Sequence, residues 1–250
     1  MVLTEALGIL AAGIAAGTVN AVVGSGTLIT FPVLLGFGYA PVIANVSNTI
    51  GLVPGSVAAV IGYRAELAGQ RRLLARLGCF TFVGSIIGAT SLLLLPGGAF
   101  KAIVPVFILA ALVAILMQPR LARRLEARRR QSASEASPGT LAAVLATGVY
   151  GGYFGAAQGI LLLAILGVAL DQRLQRVNAI KNVLAGLANL VAGVVFVFAA
   201  HVAWEPALVI AIGSSIGATV GARAGRRLPP AALRGVILLV GLAAIVKLLV

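Results

Sequence analysis

Ten apolar runs, joined by short connections, make up most of this chain of 250 residues. They lie at residues 5–23, 26–38, 41–63, 73–95, 101–117, 139–157, 159–170, 178–200, 206–222 and 231–250. A helix needs about 20 apolar residues to cross a bilayer. With 60% of its residues apolar and only 10% charged, the chain exceeds what one soluble core can hide from water. We therefore predict an all-α polytopic membrane protein.

Two of the ten runs are too short to cross a bilayer as helices. Residues 26–38 and 159–170 would form helices of about 18 to 20 Å, against an apolar layer of about 30 Å. Each short run follows a glycine-rich break, at residues 24–26 and 155–159. We therefore expect a broken or re-entrant helical hairpin in each half of the chain.

The positive charge is concentrated in a few stretches of the sequence. Of the 19 lysines and arginines, 17 lie within residues 64–76, 118–138, 171–181 and 223–234. Loops rich in Lys and Arg face the cytoplasm in membrane proteins. This rule predicts that both termini lie on the outer side. It also accounts for the net charge of +13 without a nucleic-acid partner.

The most basic of these stretches divides the chain. Residues 118–138 are too polar to insert into a bilayer and are predicted to be a cytoplasmic linker. They separate a first transmembrane repeat, residues 1–117, from a second, residues 139–250. Each repeat then holds about five hydrophobic segments.

The two halves resemble each other. A shift of 133 residues aligns Gly26 with Gly159, and other matches follow in the same order. Equivalent loops carry opposite basic content, since residues 64–76 are basic and residues 197–205 are not. The sequence therefore predicts two inverted-topology repeats.

Inverted repeats with discontinuous helices are typical of secondary transporters, whose substrate sites lie between the repeats. A break near the membrane centre leaves backbone N–H groups unpaired at the start of its second helix, where partial positive charge favours an anion. Ser25, Thr27 and Gln158 could add side-chain donors at the two breaks.

Polar helix faces follow the breaks. Spacings of three and four residues put Asn45, Asn48 and Thr49 on one face, and an equivalent face surrounds Lys181 in the second half. A buried lysine needs an anion or a carboxylate beside it, whereas a lysine near the membrane boundary extends its amine to water; the sequence leaves both readings open. The candidate substrate-binding residues are Asn20, Gly24, Ser25, Gly26, Thr27, Asn45, Asn48, Thr49, Gln158, Gly159, Asn178, Lys181 and Asn182.

These features resemble the sulfite exporter TauE/SafE family of bacterial inner-membrane permeases. The resemblance rests on residues 24–26, the following Pro32, the helix start at residues 45–49 and the duplicated pattern, and it covers essentially the whole chain. It implies export of small anions such as sulfite or organosulfonates. The chain has a sparser glycine loop than many members and carries Ala156 and Ala157 in its second break.

The scarcity of carboxylates bears on the energy source. All six acidic residues lie in loops or at segment ends, so the carboxylate chains common in proton-coupled pumps are absent. An inside-negative potential favours outward movement of an anion by about 2.3 kcal/mol per charge per 100 mV. We expect a secondary transporter that exports a small anion by alternating access. The alternative is a cation channel or carrier that uses carbonyl groups of the same breaks.

Enzymatic function is not expected. The chain has one cysteine and one histidine, too few for the usual metal sites, and it shows no catalytic cluster or cofactor motif. The expected partners are the small anionic substrate and membrane lipids, with no nucleic acid, and a homodimer is left open. The expected location is the bacterial inner membrane, with multiple passes and both termini periplasmic.

Overall fold

The computed structural model describes residues 1–96 and 137–224, together with residues 98, 100, 102–106, 108–110, 112, 113, 116 and 117. Most of the predicted linker and the tenth apolar run lie outside these described residues, as do the basic residues 226–234.

Helices are the regular structure of the described residues. They are α1 (Leu3–Val22), α2 (Thr27–Gly36), α3 (Pro41–Gly62), α4 (Arg71–Leu94), α5 (Pro138–Tyr153), α6 (Gln158–Ala169), α7 (Leu174–Ala199) and α8 (Trp204–Ala224). The described residues between 98 and 117 are also helical. Five helices, α1, α3, α4, α7 and α8, are long and apolar enough to cross a membrane. The prediction of an all-α polytopic membrane protein is confirmed.

Local sequence explains where several helices begin and end. Pro41 and Pro138 occupy first-turn positions of α3 and α5, where the fixed φ of proline suits a helix and its missing N–H is not needed. The Ser137 hydroxyl accepts a hydrogen bond from the Thr140 N–H at 3.3 Å and caps α5. Helix α7 begins at Leu174, four residues before the predicted apolar run. Its first turn is polar, so the apolar pattern starts only after that turn.

The short helix α2 returns towards the end of the bundle at which α1 begins. Tyr39, which follows α2, donates a hydrogen bond to Glu5 Oε1 in the first turn of α1 at 2.6 Å. Burial and this hydrogen bond raise the pKa of Tyr39 to about 12, so the hydroxyl remains a donor. The α1–α2 hairpin therefore enters and leaves the bundle at one end.

The second hairpin, α5–α6, opens at the other end. Gln172, which follows α6, exchanges two side-chain hydrogen bonds with Gln70, which precedes α4. The amide nitrogen of each glutamine lies 3.0 to 3.1 Å from the oxygen of the other. We call this the basic end, because the described arginines lie at or near it: Arg64, Arg71, Arg72, Arg76, Arg173, Arg176 and Arg223.

The opposite end is held by a different contact between the two halves. The backbone N–H of Ala203, just before α8, donates to the Ser47 hydroxyl in α3 at 2.9 Å. Because Ser47 lies near the start of α3, this contact and the Tyr39 contact with Glu5 share the same end of the bundle.

Glycine interfaces join helices from different halves. Gly13 faces Ile210 and Gly17 faces Ser214, so α1 and α8 run parallel and in close contact. In the same way Gly84 of α4 faces Leu145 of α5, and the contact continues along both helices. The first helix of each predicted repeat thus packs against the fourth helix of the other, through the small residues that allow close approach of membrane helices.

We predict that Gly17→Ala lowers stability, because its Cβ would lie 2.7 Å from the Ser214 Cα atom. Overpacking of this kind costs about 1 to 3 kcal/mol. The midpoint of thermal unfolding in detergent should fall by several degrees. Gly36→Ala is the matched control, since nothing lies within 4 Å of a Cβ at Gly36; equal unfolding midpoints for the two variants would contradict the packing described.

Candidate functional site

The two helix breaks touch each other inside the bundle. The Gly159 N–H at the start of α6 donates to the Gly24 carbonyl oxygen, which follows α1, at 3.0 Å. A Cβ on Gly24 would lie 2.5 Å from the Gly159 Cα atom. Only residues without a side chain allow this approach. The two glycine-rich segments predicted from the sequence therefore form one site.

The backbone of both breaks contains left-handed residues. Gly24 has φ of 91° in the first break, and Gly155 and Ala157 have φ of 72° and 61° in the second. The 133-residue shift aligns Gly24 with Ala157, so equivalent positions share this conformation. A left-handed alanine is strained, and such strain often marks functional sites. The alanines that depart from the family pattern still form the sharp turn.

Lys181 lies across the contact between the breaks. Its side chain is 0% exposed, and its Nζ donates to the Asn20 carbonyl oxygen at 2.8 Å. A Cβ on Gly24 would meet the Lys181 Cδ atom at 3.1 Å. The amine therefore points into the protein, not out to water.

Among the described residues, no carboxylate forms an ion pair with Lys181. The four acids in the described ranges lie in loops or first turns, at Glu5, Glu66, Asp171 and Glu205. The Lys181 amine is held by a neutral carbonyl group.

The amide side chains of α7 cap the end of α1. Asn178 and Asn182 each donate from Nδ2 to the Ala21 carbonyl oxygen, at 3.1 and 3.2 Å. The last carbonyls of a helix lack partners within the helix, and lipid offers none. Asn178, Lys181 and Asn182 supply those partners from the other half of the chain.

A corresponding contact caps α5. Asn45 in α3 donates from Nδ2 to the Tyr153 carbonyl oxygen, at the end of α5, at 3.0 Å. Asn45 and Asn178 are aligned by the 133-residue shift. Each of these asparagines therefore caps the broken helix of the opposite half.

A second network lies within the first half. Asn48 donates to the Thr27 hydroxyl at 3.3 Å, and the Thr30 hydroxyl donates to Asn48 Oδ1. Thr30 is not among the residues predicted from the sequence, although its spacing of three from Thr27 places both on one face of α2.

Other predicted site residues contact their own helix or hairpin. Gln158 donates to the Thr147 carbonyl oxygen in α5 at 3.1 Å, and the Thr49 hydroxyl donates to the Asn45 carbonyl oxygen one turn earlier. Gly26 packs on α1, where its Cβ would lie 2.6 Å from the Ala16 carbonyl oxygen. Asn20 is half-buried, and its carbonyl group is the part that Lys181 contacts.

Three buried polar atoms near the breaks have no hydrogen-bond partner among the described residues. They are Ser25 Oγ, Asn45 Oδ1 and Asn178 Oδ1. The Ser25 side chain is 1% exposed and lies within the first break. Buried polar atoms normally have partners, so these three are candidates for contact with a polar ligand. The described residues contain no cluster of His, Cys, Asp and Glu that could hold a metal ion.

Polar residues buried between two discontinuous hairpins, within a bundle of membrane-length helices, are typical of membrane transporters. The profile of the sulfite exporter TauE/SafE family matches residues 9–248. The chain therefore belongs to this family, and it is a multi-pass membrane transporter.

The curated relatives are similar over most of their length. The probable membrane transporter protein YfcA of Escherichia coli (strain K12) is 26% identical over 202 residues, which cover 79% of this chain and 72% of the relative. A probable membrane transporter protein of Haemophilus influenzae is 27% identical over 202 residues, which cover 81% and 78%. No solved structure matches the chain.

The strained turn generates a paired prediction. Ala157→Gly should leave the unfolding midpoint unchanged or raise it. Glycine removes a left-handed penalty of about 1 to 2 kcal/mol, and this exceeds the free energy by which the extra conformational freedom of glycine favours the unfolded chain. Gly24→Ala should lower the midpoint, since it adds both the penalty and the overlap with Gly159. Thermal unfolding in detergent measures both. A lower midpoint for Ala157→Gly would refute the left-handed turn at this position.

Proposed function

We propose that this protein exports a small sulfur-containing anion across the bacterial inner membrane, by alternating access around the two touching breaks. The observation that carries the proposal is the buried Lys181 amine, which has no carboxylate beside it among the described residues. A charged side chain inside a membrane is costly and normally has an opposite charge or a water-filled path. An anionic substrate would supply that charge.

The backbone of the breaks supports the same ligand class. The N–H groups of Ser25 and Gly26, and those of Ala156 and Ala157, donate to no other backbone group in the described ranges. Successive free N–H groups next to a left-handed residue form concavities that bind anions. The breaks also precede α2 and α6, whose N-terminal ends carry partial positive charge. The Ser25 hydroxyl adds one side-chain donor.

The sulfur-containing substrate is proposed from the family, whose description names sulfite. Membrane potential supplies a driving force, since export of one negative charge from a negative interior gains about 2.3 kcal/mol per 100 mV. The alternative cation carrier would place a second positive charge near Lys181, which like-charge repulsion disfavours. Reversal potentials in salt gradients separate the two, because anion and cation transport give opposite signs.

Lys181→Gln should lower sulfite efflux from proteoliposomes by about tenfold or more, equivalent to about 1.4 kcal/mol of binding free energy. Removal of an uncompensated buried charge should leave thermal stability unchanged or raise it. Arg76→Gln, which removes an exposed charge, is the matched control and should keep wild-type efflux. Normal efflux by folded Lys181→Gln protein would exclude Lys181 from the site.

The proposed orientation places the basic end in the cytoplasm and both termini in the periplasm. Cys79 is the one cysteine of the chain and is exposed, so Cys79→Ser provides a background for labelling. In this background Ala68→Cys should react only with thiol reagents that cross the inner membrane, and His201→Cys should react with impermeant reagents added to intact cells. The reverse pattern would show the opposite orientation.

A further inference from the structure

We propose that the substrate of this site is a monoanion that also carries a hydrogen-bond donor such as a hydroxyl group, and that dianions are excluded. This inference rests on the proposed function and concerns the chemical form of the anion. It follows from the charge of the site and from two buried acceptor atoms that an oxyanion without a hydrogen cannot satisfy.

The first step is charge balance. Lys181 is the one buried charged side chain among the described residues, and the described arginines are exposed. A monoanion beside Lys181 makes the site neutral. A dianion would leave a net negative charge inside the membrane, where an uncompensated charge is strongly disfavoured.

The second step concerns the orientation of two amides. Asn45 and Asn178 each donate from Nδ2 to a carbonyl oxygen at the end of a broken helix. Turning either amide over would place its oxygen against that carbonyl oxygen and break the hydrogen bond. Both Oδ1 atoms are therefore held as acceptors, and both are buried without a partner among the described residues.

The third step is the position of these acceptors relative to the donors. Asn178 lies one turn before Lys181 on α7, and both side chains reach the last carbonyls of α1, at Ala21 and Asn20. Asn45 reaches Tyr153, directly before the second break. At each break, the preceding helix is thus capped by an asparagine whose Oδ1 atom has no partner among the described residues.

The fourth step matches the site to a ligand. The Lys181 ammonium has three hydrogens, of which one contacts Asn20, and the Ser25 hydroxyl is a free donor among the described residues. These groups suit the oxygens of an anion. The Oδ1 atoms need an N–H or O–H group. An anion without an N–H or O–H group has only acceptor oxygens to offer the Oδ1 atoms. The Oδ1 atoms would then stay without a partner, which is unfavourable for buried groups.

The test uses two sulfonates of equal charge and similar size. Purified protein in liposomes under a clamped inside-negative potential is loaded with isethionate, which has a hydroxyl group, or with ethanesulfonate, which has none. We expect kcat/KM for efflux to be about tenfold higher for isethionate, equivalent to about 1.4 kcal/mol. Sulfate, a dianion without a donor, should not exceed the leak of protein-free liposomes.

Sulfite itself provides a second readout, because it gains a proton and loses one charge as the pH falls through the neutral range. Sulfite efflux should rise with the protonated monoanion fraction. Isethionate, whose charge is constant over this range, controls for effects of pH on the protein, so sulfite efflux should rise more steeply than isethionate efflux.

The outcomes separate the two proposals. Equal kcat/KM for isethionate and ethanesulfonate, or sulfate efflux above the leak, would overturn the monoanion inference while leaving anion export intact. A protein shown to be folded that moves none of these anions would overturn the proposed function itself, and the inference with it. Preference for isethionate together with exclusion of sulfate would support both.

Discussion

Broken helix ends inside a membrane need hydrogen-bond partners from protein, because lipid provides none. In this protein the partners come from the opposite half of the chain: Asn178 and Lys181 reach the end of α1, and Asn45 reaches the end of α5. Neither break is capped by its own half alone. The two halves must therefore fold together, and the place where they exchange caps is also where the polar groups of the site collect.

The same arrangement places an ionisable amine where solvent cannot screen it. Lys181 is held by a carbonyl group and is surrounded by buried side chains. In such an environment a single charge acts strongly on whatever enters, because the effective dielectric is low. The breaks add oriented backbone dipoles of the same sign. Selectivity for charge can thus arise from very few residues, in a core that otherwise consists mainly of alanine, glycine and aliphatic side chains.

Much of this architecture could be predicted from local patterns. Apolar runs mark the helices because they reflect contact with lipid. Glycine-rich segments mark the breaks because they reflect the backbone geometry at the same positions. The direction of the Lys181 side chain could not be predicted from the sequence. Whether its amine is buried or extends to water depends on how the surrounding helices pack. The Gln70 contact with Gln172 could not be predicted for the same reason, since it joins residues far apart in sequence. Gln158 is predicted as a side-chain donor at the second break, and it donates to Thr147, because the close approach of α5 brings a carbonyl within its reach.

The glycine interfaces determine which helices can move as one body. Because α1 packs tightly on α8, and α4 on α5, neither pair can slide without driving backbone atoms into each other. Glycines of α3 also pack on α8. In the proposed transport cycle, α1, α3 and α8 then form one unit and α4 with α5 another, each drawn from both halves of the sequence. The Gln70 and Gln172 amides form a different kind of contact, since two side-chain hydrogen bonds at the basic end join the halves there without close backbone packing. Motion in that proposed cycle would therefore be confined to the seams between these two units.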